Sequence, residues 1–249
     1  MDSHSQPVRP DFSTVRFIYF DLDDTLIDHL KAQERALVDV WTQYPELQRT
    51  EPKVFASEFA GTNYRLWEAY RSSEVSQSEL RRLRFEQTFR QIGVGTLDWR
   101  EVDEIYMDCY SRHWDWIPDA RDALMQVSRH FPTGIMTNGF TFVQKKKFEY
   151  FSLNRYARHL IISEEVGYLK PDPRIFAFAA EKAGFKPSEL LYVGDSYSSD
   201  ILGGCQCGWK TAWYLQPGKA PERHLADLVF SGFRELLQAL IPDTKTNPT

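Results

Sequence analysis

The apolar pattern divides the chain into an α/β part interrupted by a helical block. Val15, Phe17, Ile18, Tyr19 and Phe20 form a short run of β-branched and aromatic residues, which predicts a strand buried on both faces. The run stops at Asp21, Asp23 and Asp24, followed by Thr25. From Leu30 to Ile117 strand patterns give way to helical ones. Leu37, Val38 and Trp41 share a face, and Phe85, Phe89 and Ile92 keep helical spacing until Gly93 and Gly95. Val102, Ile105, Tyr106, Cys109, Tyr110 and His113 form an amphipathic stripe, with His113 at its edge.

After Ile117 strands and helices alternate. Pro118-Asp119 opens a helix to about His130, and Thr133 to Met136 is a strand ending at Thr137-Asn138-Gly139. Thr141 and Gln144 fit a capping box for the next helix. His159 to Ile162 is a strand, followed by a loop over Ser163 to Gly167. Asp172 and Pro173 start a helix that buries Ile175, Phe176, Ala179, Ala180 and Ala183 and ends at Gly184. Leu190 to Val193 is a strand running into Gly194-Asp195-Ser196. A helix over Ile201 to Cys207 takes Cys205 and Cys207 into the core. Strands at Thr211 to Leu215 and Leu228 to Phe230 and a helix over 232–241 complete the pattern. Alternation of this kind predicts a parallel sheet with helices on both faces. The expected division is a core over 15–29 and 118–241, a helical domain over 30–117, and flexible ends at 1–14 and 242–249. The chain crossings near Asp28 to Lys31 and Trp116 to Asp119 are the expected hinges.

Composition narrows the partners. The chain of 249 residues has a net charge of -5 and 3 cysteines. No basic block points to a nucleic-acid polymer, and Lys145-Lys146-Lys147 reads as the solvated face of a helix. No apolar run approaches the roughly 18 residues of a membrane span. The polar start MDSHSQPVRPDFS lacks a signal-peptide core, and the cysteines make no disulfide or zinc pattern, so a reducing cytoplasm is expected.

Chemistry gathers at the ends of the predicted strands, where ligands bind in open α/β sheets. Asp21, Asp23 and Asp24 repel one another, and a hard divalent cation such as Mg²⁺ is their natural partner. Asp21-Leu22-Asp23-Asp24-Thr25, Thr137-Asn138, Lys170-Pro171 and Gly194-Asp195 with Asp200 resemble the four ordered motifs of the haloacid dehalogenase superfamily. The resemblance spans residues 15 to about 230. It implies a Rossmann-like α/β core with an inserted α-helical cap of the first subclass. Thr137-Asn138-Gly139-Phe140 and Ile162 to Gly167 further resemble a bacterial branch of pyrimidine 5′-nucleotidases.

The resemblance implies a Mg²⁺-dependent phosphomonoester hydrolase acting on a small phosphorylated metabolite, a nucleoside 5′-monophosphate first. It makes the Asp23 backbone carbonyl a metal ligand beside Asp21 and Asp195, with Asp200 in support. The residue types agree with this chemistry. Asp21 can attack phosphorus, and Asp23 can protonate the leaving oxygen and then activate water. Lys170 offsets the repulsion between Asp21 and phosphate, and Thr137 and Asn138 can donate to phosphoryl oxygens. Asp24 is expected to be structural and Thr25 to brace the loop. The helical cap is expected to act as a lid. Its tryptophans either fill a small core or stack on a base. The alternatives are a sugar phosphomutase or sugar-phosphate phosphatase, a haloacid dehalogenase and a non-catalytic phospho-receiver.

Overall fold

The computed structural model describes residues 10–95, 97–215 and 224–241. Of the ends expected to be loose, 1–14 and 242–249, residues 1–9 and 242–249 lie outside them. The chain forms two compact units. One comprises the chain up to Ile27 and again from Trp116, and the other is Asp28–Asp115.

The first unit is a six-stranded parallel sheet of β1 (Phe17–Phe20), β2 (Thr133–Thr137), β3 (Ala157–Ile162), β4 (Leu190–Gly194), β5 (Lys210–Tyr214) and β6 (Leu228–Phe230), in the order β3-β2-β1-β4-β5-β6. Alternate residues of β1 go to opposite faces. Ile18 and Phe20 pack in a core with Ala123, Leu124 and Val127 and with Phe233, Leu236 and Leu240. Phe17 and Tyr19 pack in a second core with Ile175, Phe176 and Ala179. Both faces are therefore covered, which explains why β1 reads as a continuous apolar run. Because every pairing is parallel, the carboxyl ends of β1, β2 and β4 share one edge of the sheet.

Local differences from the sequence pattern have physical causes. Phe12 in the expected leader is buried, and Val15 N–H bonds the Phe12 carbonyl at 3.0 Å, so the chain is anchored before β1. Ser163–Val166 is a one-turn helix rather than a loop, closed by Gly167 at φ 82°. The helix expected over Ile201 to Cys207 divides into a π-turn at Tyr197–Ile201 and an α-helix at Leu202–Gln206. Cys205 and Cys207 are half-buried rather than core residues.

The second unit is helical: α1 (His29–Gln43), α2 (Pro52–Arg71), α3 (Gln77–Gln91) and α4 (Trp99–Arg112). Val102, Tyr106, Cys109 and Tyr110 are buried as the α4 stripe predicts, and His113 bonds Asp39 at 2.7 Å. Val38 is exposed; the buried stripe of α1 runs through Ala32, Ala36, Leu37 and Val40. Among the described residues no helix is long and apolar enough to cross a membrane.

The two crossings between the units are paired with each other. Ile117 N–H donates to the Leu26 carbonyl at 2.9 Å, Ile27 bridges Trp116, and Asp28 N–H donates to the Asp115 carbonyl at 3.1 Å.

Candidate active site

Asp21 immediately follows β1, and its N–H donates to the Val193 carbonyl at 2.8 Å, which fixes the start of the loop beside β4. The turn then tightens. Leu26 N–H bonds the Leu22 carbonyl at 3.0 Å, Asp24 N–H bonds the Ile27 carbonyl at 2.7 Å, and Asp24 takes a left-handed φ of 58°. Asp tolerates that conformation better than most residues, which accounts for a third acid in the run.

Lys170 is buried at this edge. Its Nζ donates to Asp21 Oδ1 at 2.7 Å, Asp200 Oδ1 at 2.7 Å and the Tyr192 hydroxyl at 2.6 Å. Tyr192 in turn donates to the Met136 carbonyl at 2.6 Å. The Lys170 backbone is clamped by Asn138, whose Nδ2 donates to the Lys170 carbonyl and whose Oδ1 accepts from its N–H, both at 2.9 Å. The Lys170-Pro171 bond is cis. The Asn138 amide thus meets Lys170 at both ends, whereas the sequence reading gave it to phosphate.

Asp195 and Asp200 come from the end of β4. Thr25 Oγ1 donates to Asp195 Oδ1 at 3.2 Å, and Trp213 Nε1 to the Asp195 carbonyl at 2.8 Å. Asp200 sits on the π-turn. Its Oδ2 accepts from Ser196 N–H at 3.0 Å and its Oδ1 from Ser199 Oγ at 3.2 Å. Gly194 is required here because a Cβ at that position would overlap the Asp200 carboxylate.

Asp21, Asp195 and Asp200 each offer a ligand atom within 4.8 Å of the others. Burial pushes the Asp21 carboxyl up to about 7, with Asp200 and Asp23 adding to the shift against the pull of Lys170. Burial also holds Asp195 well above the usual carboxylate range, again with Asp200 and Asp21 contributing. Burial works against the Lys170 ammonium, but Asp200 and Asp21 outweigh it and its pKa rises. A hard-oxygen set with this excess of acid fits a divalent cation such as Mg²⁺.

The Asp23 carboxylate turns to a different set of partners. Its Oδ1 accepts from Lys147 Nζ at 2.5 Å and its Oδ2 from Gln144 Nε2 at 2.9 Å. Gln144 Nε2 also donates to Thr137 Oγ1 at 2.8 Å. Both residues lie on the helix Thr141–Tyr150 and are 1% exposed. This corrects two sequence expectations. Lys145 and Lys146 are exposed but Lys147 is buried. The Thr141–Gln144 capping box does not form; Thr141 N–H donates instead to Glu164 Oε2 at 2.5 Å. Gly139 N–H donates to Ser163 Oγ at 3.3 Å, so the one-turn helix after β3 braces the β2 loop. Sequence reasoning missed Gln144, Lys147 and Tyr192. One signal was available for the first two: the helix offers few apolar residues to its inward face, so polar ones must fill it.

The site and fold have relatives. The sequence model of haloacid dehalogenase-like hydrolases matches residues 15–208. The chain is 30% identical over 228 residues to the pyrimidine 5′-nucleotidase YjjG of Escherichia coli (strain K12), covering 90% of this chain and 97% of that protein. It is 31% identical over 245 residues to a glyceraldehyde 3-phosphate phosphatase of Pyrococcus furiosus, covering 91% of this chain and 93% of the relative. Among solved structures, the HAD-hydrolase YfnB of Bacillus subtilis, bound to magnesium, superposes with a TM-score of 0.77 at 25% identity, over 91% of this chain and 99% of that one.

Proposed function

The chain belongs to the haloacid dehalogenase-like hydrolases, and from that premise we propose that it is a Mg²⁺-dependent phosphomonoester hydrolase working through an aspartyl-phosphate on Asp21. The observation that carries this reading is the trio of buried Asp21, half-buried Asp195 and buried Asp200, with ligand atoms within 4.8 Å of one another. Asp21, Asp195 and the Asp23 backbone carbonyl would hold the cation, with Asp200 in support. When bound, the ion offsets the charge of the phosphate and of the transferring group.

In the first half-reaction an Asp21 oxygen bonds to phosphorus and the bond to the leaving oxygen breaks. That oxygen takes its proton from Asp23. In the second, Asp23 takes a proton from water, the water oxygen bonds to phosphorus, and the Asp21–phosphorus bond breaks to release inorganic phosphate. Lys170 steadies Asp21 at 2.7 Å and counters its repulsion of the incoming anion. Thr137 Oγ1 accepts from Gln144, which leaves the Thr137 hydroxyl proton for a phosphoryl oxygen. Asn138 contributes by fixing the Lys170 backbone.

Nucleoside 5′-monophosphates are the first substrate class, supported by the similarity to the Escherichia coli nucleotidase. Small sugar phosphates are the second, supported by the Pyrococcus furiosus relative. The free Cys109, Cys205 and Cys207 support a reducing, cytoplasmic setting.

A phosphate-release screen over both classes, with and without Mg²⁺, tests the reading. Asp21→Asn is expected to lower turnover by roughly 10⁴-fold or more while weakening Mg²⁺ binding only in part. Near-normal turnover in that variant removes Asp21 as nucleophile. Isomerised sugar phosphate with little free phosphate would make the chain a mutase instead.

A further inference from the structure

The helix Thr141–Tyr150 places two buried polar side chains on a single carboxylate. Lys147 Nζ reaches Asp23 Oδ1 at 2.5 Å, and Gln144 Nε2 reaches Asp23 Oδ2 at 2.9 Å. Each Asp23 oxygen is thus held by its own donor, and the two bonds together fix the carboxylate in both position and rotation. Gln144 Nε2 also holds Thr137 Oγ1 at 2.8 Å. Gly139 makes room for this side chain, because a Cβ there would lie 2.6 Å from Gln144 Nε2. Gln144 Oε1 is buried and takes no hydrogen bond among the described residues. A stranded acceptor costs stability that an apolar side chain of similar shape would not. The amide is therefore in place for its donor end.

We propose that Gln144 and Lys147 are positioning residues of the leaving-group step. They act through Asp23 by aiming its carboxyl at the departing oxygen, and Gln144 ties that aim to the Thr137 hydroxyl that meets the phosphoryl group. The inference rests on the reading of Asp23 as proton donor. A displacement of about 1 Å at such a group costs on the order of 100-fold in rate. The effect appears only where the leaving oxygen needs a proton.

The test compares kcat/KM for two substrates with Mg²⁺ present: a nucleoside 5′-monophosphate, which leaves as an alkoxide, and p-nitrophenyl phosphate, which leaves as a stabilised phenolate. This ratio reports the steps up to transfer onto Asp21 and is blind to the later hydrolysis. Gln144→Met and Lys147→Met are each expected to lower kcat/KM for the nucleotide by about 10- to 100-fold and for the aryl ester by about 3-fold or less. In an Asp23→Ala background the same substitutions are expected to add almost nothing. Equal losses on both substrates would overturn the inference, as would effects that persist undiminished without Asp23. Asp23→Ala is the control for the underlying reading. If it fails to separate the two substrates, the role of Asp23 falls and the inference with it. If it separates them and the helix variants do not, the inference alone falls. Should Lys147→Met not fold, Gln144→Met carries the same comparison.

Discussion

Each unit buries a charge cluster, and the two are built on opposite balances. In the helical unit Asp103 lies between Arg81 and Arg84; Arg84 Nη2 donates to Asp103 Oδ1 at 2.5 Å. The Arg84 guanidinium also sits 4.9 Å from the Tyr106 ring centroid and 5.3 Å from that of Phe85. One acid there faces two cations and an aromatic lining. In the α/β unit Asp21, Asp195 and Asp200 face the Lys170 ammonium. The first fixes how α3 packs on α4, and the Arg81 that carries its excess positive charge is 34% exposed to water. The second carries surplus negative charge, which adds to the burial that chiefly raises Asp21 and Asp195. Burial of charge alone does not mark a functional centre; an excess of acid held away from water is the better sign.

The sharpest way to break this contrast is to remove the cation of the acidic cluster. Lys170→Met is expected to lower kcat by about 10³-fold. It should also destabilise the metal-free protein by about 3–5 kcal/mol, because two buried acids lose their partner. Urea unfolding with Mg²⁺ should recover part of that loss. A loss unchanged by Mg²⁺ would mean that the trio is no cation site.

Asp103→Leu gives the opposite signature. It leaves Arg84 buried without its carboxylate, at about 3 kcal/mol, the low end of the range because Arg81 is 34% exposed. The shift in urea midpoint should be the same with Mg²⁺ or EDTA. A Mg²⁺-dependent shift would show that the two clusters are not independent.

Gly194→Ala tests the acidic cluster more finely. The added methyl displaces the Asp200 carboxylate, and calorimetry should find Mg²⁺ affinity down by about 10- to 100-fold with the fold retained. Unchanged affinity would detach Asp200 from the cation.

The smallest effect is a pH trend. Asp21 lies at about 7 in the folded chain against an ordinary 3.8. Between those values the folded state binds a proton that the unfolded chain has released. Stability from this group therefore falls as pH rises from about 4 to about 7 and is level above. In EDTA, urea midpoints of the parent measured against Asp21→Asn should decline across that window, and saturating Mg²⁺ should abolish the decline. A rise across the window would refute the upward shift at Asp21.

The sequence carried most of the α/β architecture because β1 and β4 are buried on both faces and read as apolar runs closed by acids. Asp21, Thr137 and Asp195 stood out for the same reason: each follows or ends a predicted strand, where a polar residue is conspicuous, whereas Lys170 stood out through the Pro171 that follows it. Gln144 and Lys147 were not. Their spacing fits a capping box and a solvated lysine face equally well, and their partner Asp23 lies 121 residues away from Gln144 in sequence. Asn138 was legible as a polar loop residue but not in its direction, because nothing local reveals that its amide meets the Lys170 backbone. Val38 and Cys205 were misplaced for a simpler reason: apolar character permits burial without compelling it.

The pairing of Leu26 with Ile117 and of Ile27 with Trp116 has a consequence for assembly. Once those few bonds close, β1 and the helix that leads to β2 are joined as though by a tight turn. The chain between Asp28 and Asp115 then enters the closing of that seam as loop entropy, about 0.6 kcal/mol for each doubling of length. An insertion of quite different size could be exchanged at that seam while the strands upstream and downstream kept their register.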